Sequence, residues 1–206
     1  MPGAAFLDVE RELSSPPGGR GRHPLPSREQ FVEAASRAGI GDGVFVAAYG
    51  SLGGAERLWW LLRHHGHDDC AVIDLDSWHG PLRGGEEHLK PAEFSSRERS
   101  GDTIELEELS AGLDGLVVVD ARPAARWRGE PNSIDRVPGR IPGALNAPWS
   151  EPLPGLPDGD LVAYCGSGVT ACVVLHRLHL TGREGRLYPG SWSEWEQHDE
   201  LPRERG

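Results

Sequence analysis

The chain carries two copies of one segment, and this repeat restricts its architecture more than any other feature. Val46-Ala47-Ala48-Tyr49-Gly50-Ser51 aligns with Val162-Ala163-Tyr164-Cys165-Gly166-Ser167, and each is followed by a stretch of helical length that opens at Ala55 or Ala171. Ser77-Trp78 falls near Ser191-Trp192, and Pro2-Gly3-Ala4 matches Pro142-Gly143-Ala144. The period is far longer than a stackable solenoid unit, so it marks two copies of one domain. Apolar runs of strand length occur at 44–48, 70–73, 116–119 and 161–164, with segments of helical length between them. Strands that alternate with helices predict an α/β fold in which each copy is a mainly parallel sheet flanked by helices.

Local signals place the elements more finely. Ser27-x-x-Gln30 reads as a capping box ahead of Phe31, Ala34 and Ala35 at helical spacing. A second helix is expected from 55 to about 65, and a third opens near Thr170 and carries Val173, Val174, Leu178 and Leu180 until Gly182 stops it. The polar, aperiodic stretch 85–101 reads as a linker, which gives an N-terminal domain over 1–84 and a C-terminal domain over 102–206. The copies are unequal. Ahead of its Pro-Gly-Ala the second has a helix near Glu105, the strand 116–119 and the segment 120–140, whereas the first has only Met1. The first copy is therefore expected to lack a strand present in its twin and to be the less stable half.

Composition removes several function classes. With 32 acidic against 21 basic residues the formal charge is -11, a field that repels nucleic acid and anionic lipid, so neither is an expected partner. No apolar stretch approaches the ~18–20 residues of a membrane span. Cys70, Cys165 and Cys172 are an odd number at spacings that match no zinc pattern, and a cytoplasmic location with reduced thiols is expected. His64-His65-x-His67 lacks a carboxylate or thiolate at ligand spacing, and His176 and His179 lie on a helix that leads away from the Cys165 loop, so these histidines read as solvated surface residues.

The chemistry concentrates at Cys165-Gly166-Ser167-Gly168-Val169-Thr170. A buried strand that ends in Cys, then a Gly-rich loop, then a helix start turns backbone N–H groups and the positive end of a helix dipole toward the sulfur, which favours a thiolate and any anion bound to it. A small buried hydrophobe at a strand end is the bland alternative, but two glycines in one short turn favour close approach of backbone to a ligand. Cys172 on the following helix and Cys70 in a strand read as packing residues, as do Trp59-Trp60 and the pair Trp192 and Trp195.

This loop resembles the active-site loop of the two-domain rhodanese family, in the form found in 3-mercaptopyruvate sulfurtransferases. Tyr188-Pro189-Gly190-Ser191-Trp192-Ser193-Glu194-Trp195 resembles the C-terminal signature of that family, and Val119-Asp120-Ala121-Arg122 through Arg126-Trp127-Arg128-Gly129 resembles its substrate-arginine segment. The resemblance implies tandem rhodanese-like domains, of which the N-terminal one is catalytically silent; Tyr49 stands opposite Cys165, and a phenol cannot become a persulfide. It also implies a Cys165 nucleophile, a loop of Gly166, Ser167, Gly168, Val169 and Thr170 around the substrate, and Arg126 on the substrate carboxylate, with Arg136 as a second contact. A guanidinium suits this task because its fork donates two parallel hydrogen bonds. In the family a His ahead of the first Pro-Gly-Ala works, with an Asp, beside the loop serine; here Met1 stands first, so Ser167 is expected to lack partners. In the second copy Arg140 takes the comparable His position.

The expected reaction moves sulfane sulfur from a small anionic donor, 3-mercaptopyruvate, to a thiol acceptor such as thioredoxin or a small thiol, or to cyanide, with no metal or organic cofactor. Three alternatives remain. A thiosulfate:cyanide sulfurtransferase takes a dianion and usually carries basic side chains directly after the Cys, where this chain has Gly166 and Ser167. A Cys-dependent phosphatase needs Arg six residues after the nucleophile, where this chain has Ala171. A non-catalytic pair kept for protein binding is opposed by the intact loop.

Overall fold

In the computed structural model, which describes residues 1–85, 87 and 89–206, the chain builds two units. The first comprises Met1–Ser15 and Leu25–Arg99, and the second Pro16–Pro24 and Ser100–Gly206. Both are α/β with parallel strands.

In the first unit α1 (Arg28–Arg37) starts where Ser27 Oγ accepts the Gln30 N–H at 3.1 Å. The reciprocal half of the capping box is replaced: the Gln30 amide donates to the carbonyls of Arg11 and Ser14, each at 2.9 Å, and so ties the preceding segment to the helix. β1 (Val46–Ala48) leads into α2 (Gly54–His64), and β2 (Cys70–Val72) returns parallel to β1 with Val46 opposite Cys70. Trp59, Trp60, Leu61 and Leu62 form the buried face of α2.

Two details differ from the sequence reading. His65 and His67 are buried, 2% and 9% exposed, rather than solvated. His65 stacks on Phe31 with ring centroids 4.6 Å apart while its Nδ1 lies 2.8 Å from Ser96 Oγ, because an imidazole has an apolar body that packs as a ring does and a polar tip that needs one partner. The end of the stretch read as a linker is also anchored. Ala92 N–H donates to Ser36 O at 3.0 Å, Arg97 N–H donates to His65 O at 2.9 Å, and the buried Phe94 meets Phe31 edge-on at 5.7 Å. One aromatic residue in a polar segment is enough to fold it onto the unit.

The second unit contains α3 (Leu106–Ala111), β3 (Leu116–Asp120), the single-turn α4 (Ala124–Trp127), β4 (Leu145–Asn146), β5 (Asp160–Tyr164), α5 (Ala171–Leu180), β6 (Arg186–Leu187) and α6 (Ser191–Trp195). Its sheet has the order β4-β3-β5-β6, all parallel, with Leu116 opposite Asp160 at the centre. Val118, Val162, Tyr164, Tyr188, Trp192 and Trp195 belong to one buried cluster. The carboxyl ends of β3 and β5 lie side by side, the place where open parallel sheets bind ligands.

Ala4 N–H donates to Met1 O at 3.3 Å and Ala144 N–H to Ile141 O at 3.1 Å, and Gly3 and Gly143 have φ of 75° and 72°, so both Pro-Gly-Ala segments make the same turn. After the second turn β4 pairs with β3. After the first, among the described residues, no strand forms and β1 pairs with β2 alone. A cavity of about 470 Å³ lined by Ala4, Phe6, Val44, Val46 and Ala48 lies beside β1 instead. The repeat fails again at its end, where Trp78 is 40% exposed and Trp192 is buried. Two strands alone make a marginal sheet. Amide hydrogen exchange should therefore be faster at Val46, Ala47 and Ala48 than at Leu161, Val162 and Ala163, with the first unit opening in milder denaturant; equal protection of β1 and β5 would show that the open edge costs nothing.

Candidate active site

β5 ends at Tyr164, and the next residue, Cys165, is only 2% exposed. Its backbone is held on both sides: the N–H donates to Ser191 Oγ at 3.1 Å and the carbonyl accepts the Trp192 N–H at 3.0 Å. The Ser191 hydroxyl in turn donates to Tyr188 O at 2.9 Å, and these two bonds hold Ser191 at φ 54°, a left-handed conformation that is rare for a residue with a side chain. Toward Cys165 Sγ the loop turns the Gly168 N–H, at 3.1 Å, and the Ser167 N–H, at 3.5 Å. Gly168 is required there, since its φ is 81° and a Cβ would stand 2.4 Å from Pro189 O. Two backbone dipoles and the start of the ten-residue α5 thus surround one sulfur with positive ends, an arrangement suited to a thiolate or to an anion attached to it. Val169 is buried and Thr170 directly precedes α5.

Ser167 has a partner, contrary to expectation. His23 Nδ1 lies 2.7 Å from Ser167 Oγ. The histidine comes from segment 16–24, which belongs to the second unit although it interrupts the first in sequence, so a position ahead of the first Pro-Gly-Ala was not needed to supply it. Gly18 and Gly21 exchange two backbone hydrogen bonds at 3.0 Å, Gln197 Nε2 donates to Gly18 O at 3.3 Å, and Arg22 N–H donates to Ser193 Oγ at 3.0 Å. The Arg22 guanidinium donates to Gly166 O at 3.0 Å. Neither Arg22 nor His23 was singled out from the sequence. The available signal was the Gly-rich, basic run Gly18-Gly19-Arg20-Gly21-Arg22-His23 in an acidic chain.

Arg126, on α4, reaches the same loop: a Cβ on Gly166 would stand 2.8 Å from its Nη2. It is held by Asp135, which accepts from Nε at 2.8 Å and also from Nη2. Asp135 receives a further contact from Arg122 Nη1 at 3.4 Å. Burial pulls the Asp135 carboxyl pKa up, but the hydrogen bonds and charges of Arg126 and Arg122 outweigh it and leave it below the ordinary value. Arg122 is itself fully buried and forks onto Asp120 with Nε at 3.0 Å and Nη2 at 2.6 Å.

Among known proteins, a model of the rhodanese-like domain matches residues 105–198. The chain is 35% identical to human 3-mercaptopyruvate sulfurtransferase over 95% of its own length and 76% of the human protein. It is 34% identical, over its whole length and 83% of the relative, to SseB of Mycobacterium tuberculosis, provisionally described as a thiosulfate sulfurtransferase. The chain belongs to the rhodanese family. Among solved rhodanese structures, SseA of Escherichia coli, a 3-mercaptopyruvate enzyme, superposes with a TM-score of 0.74 at 31% identity, covering 94% of this chain and 83% of SseA. As a member of this family the chain is a sulfurtransferase, an enzyme that takes sulfur from a donor and passes it to an acceptor.

Within this rhodanese the remaining candidates lie apart from the sulfur. Arg136 is 55% exposed, hydrogen-bonds the carbonyl of Glu196 and lies 3.7 Å from Asp199; no contact brings it to the Cys165 loop. Arg140, in the family's His position, is buried with its guanidinium 4.1 Å over the Trp127 ring and pairs with Glu204. Cys172 is fully buried with its thiol on Gly168 O at 3.4 Å. Burial pushes the Cys70 thiol up to about 11, which keeps it protonated at neutral pH. Among the described residues no group of three or more His, Cys, Asp or Glu is arranged to hold a metal ion, and no helix is long and apolar enough to cross a membrane.

Seating of segment 16–24 depends on Gly21, whose φ is 96° and whose Cβ would stand 2.7 Å from Gly190 O and 2.8 Å from Ser193 Oγ. Gly21→Ala should displace Arg22 and His23, costing roughly 1–2 kcal/mol from the left-handed backbone alone. The expected result is at least a tenfold loss of kcat/KM with an unchanged far-UV spectrum. Full activity would show that the segment need not be seated.

Proposed function

We propose that this chain transfers sulfur from 3-mercaptopyruvate to a thiol, or to cyanide, through a persulfide on Cys165. The observation that carries the reading is the pair of backbone N–H groups on Cys165 Sγ, from Ser167 and Gly168, beside a guanidinium that reaches Gly166. The Cys165 thiolate attacks the donor sulfur, and the sulfur–carbon bond breaks with its electron pair moving to carbon. The proton that was on the donor thiol ends on that carbon, which gives pyruvate and an anionic Cys165 persulfide. An acceptor thiol then takes the outer sulfur and leaves the Cys165 thiolate. The attacking thiolate and the persulfide it leaves behind are both sulfur anions, so one cradle of N–H dipoles serves both halves of the reaction.

Ser167, hydrogen-bonded to His23, supplies a hydroxyl two residues from the nucleophile through which the proton can pass. Arg126, fixed by Asp135, holds the donor carboxylate, with Gly166, Val169 and Thr170 completing the loop. Arg136 would give the donor a second contact only by leaving the Glu196 carbonyl and Asp199 beside it. The acceptor is a small thiol or a thioredoxin-like protein, and the three free cysteines fit a reducing compartment, the cytoplasm. No metal or organic cofactor enters the scheme.

Incubation with 3-mercaptopyruvate followed by peptide mass mapping should find one added sulfur atom on the peptide that contains Cys165 and none in Cys165→Ser. Sulfur on Cys70 or Cys172 with Cys165 unmodified would sink the assignment.

A further inference from the structure

We infer that the open edge of β1, in the first unit and independent of the chemistry at Cys165, is an acceptor slot for one β-strand of another polypeptide, laid along β1 as β3 lies along β5. Parity within the strand fixes which backbone groups are open. The Val46 N–H donates to Asp69 O at 2.8 Å and the Ala48 carbonyl accepts the Ile73 N–H at 2.8 Å, so both residues face β2. Between them, Ala47 turns its N–H and carbonyl to the opposite edge, where among the described residues no strand pairs with it. In the second unit β5 uses both edges. Ala163 O accepts the Tyr188 N–H at 3.0 Å on the β6 side, and Tyr164 O accepts the Ala121 N–H at 2.8 Å on the β3 side.

The cavity beside β1 has the borders of a strand position. In the second unit β3 runs between β5 and β4, and β4 follows the second Pro-Gly-Ala turn. In the first unit both flanks are present. Ala5, Phe6 and Leu7 follow the first Pro-Gly-Ala turn, and they line the cavity of about 470 Å³ together with Val46, Ala47 and Ala48 of β1. The counterpart of the space that β3 fills is therefore open.

The same comparison sets the chemistry of the occupant. Val118 and Val119, adjacent in β3, are both buried, so both faces of that strand are covered and its sequence is an unbroken apolar run. None of the described residues that line the cavity is charged, in a chain with a formal charge of -11, and Phe6 and Phe45 among them are 70% and 66% exposed. Residues 44–49 contain no Lys, Arg or Pro, the residues with which an edge strand ordinarily repels a partner. The occupant is an extended, uncharged segment of aliphatic residues comparable to 116–119, held by main-chain hydrogen bonds at Ala47 and selected by the apolar lining. A slot bordered on both edges admits a single strand and excludes the edge of a second sheet. β1 of a second copy, with β2 at its back, does not fit.

A capped peptide with the sequence of residues 113–122, which contains β3, is the probe, titrated into the isotope-labelled full chain. At about ten times its dissociation constant it should slow amide exchange at Ala47 roughly tenfold, the factor that mass action gives, and leave Val162 unchanged. The Ala121 N–H faces β5, so by parity the Val119 N–H does too, and a peptide carrying Val119→Pro should bind roughly tenfold more weakly. In the protein, Ala47→Pro keeps the bonds of Val46 and Ala48 to β2 and should abolish binding with an unchanged far-UV spectrum. If that variant unfolds the first unit, the two peptides decide the matter with the native chain. Absence of saturable binding overturns the inference, as does equal binding of the two peptides or slowed exchange at Val162 in place of Ala47. A free protein that sediments as a dimer with Ala47 already protected also overturns it, since a second copy would then be the occupant.

Discussion

The second unit is organised around the buried guanidinium of Arg122. Its fork closes on Asp120 at the end of β3, one nitrogen donates to Gly139 O at 2.7 Å ahead of the second Pro-Gly-Ala turn, and another reaches Asp135, which holds Arg126. Its face lies 4.8 Å over the ring of Trp192, and the backbone N–H of Trp192 grips Cys165 O. One side chain therefore joins β3, the segment that carries Arg126 and the Cys165 loop. Burial works against a charge there, but Asp120 outweighs it, and the Arg122 pKa is raised. Removing one member of such a pair strands the other without compensation, at a cost of about 3–5 kcal/mol, so the network is a condition for the site as well as a part of it.

In the proposed reaction a thiolate precedes the transfer and a persulfide anion follows it, and the fixed backbone dipoles of the loop suit both without reorganising. Gly168 makes the turn possible, Ser191 carries the strain of a left-handed backbone, and the strands beneath supply rigidity. The Arg126 guanidinium proposed to hold the donor carboxylate stands on α4, outside the turn itself.

Much of this was legible in the sequence, because period and punctuation report local structure directly. The runs 70–73, 116–119 and 161–164 became β2, β3 and β5 within a residue, and Ser27 and Gly182 mark helix boundaries as their chemistry requires. The Cys165 loop was legible for the same reason, since strand, glycine turn and helix are contiguous. What stayed hidden depends on contacts between distant segments. His23 meets Ser167 across 144 residues, Arg22 meets Gly166 across the same separation, and neither position has periodicity of its own. His65 was misread, and Phe94 was passed over within the stretch 85–101, because a polar or basic neighbourhood conceals a single ring that packs.

The central claim is that Cys165 holds the transferred sulfur between two half-reactions, and the pyruvate burst tests it most directly. Mixed with excess 3-mercaptopyruvate and no acceptor, the protein should release close to one pyruvate per chain and then stop, with none from Cys165→Ser. Release that continues at a steady rate without bound sulfur, or an equal burst from Cys165→Ser, would contradict it.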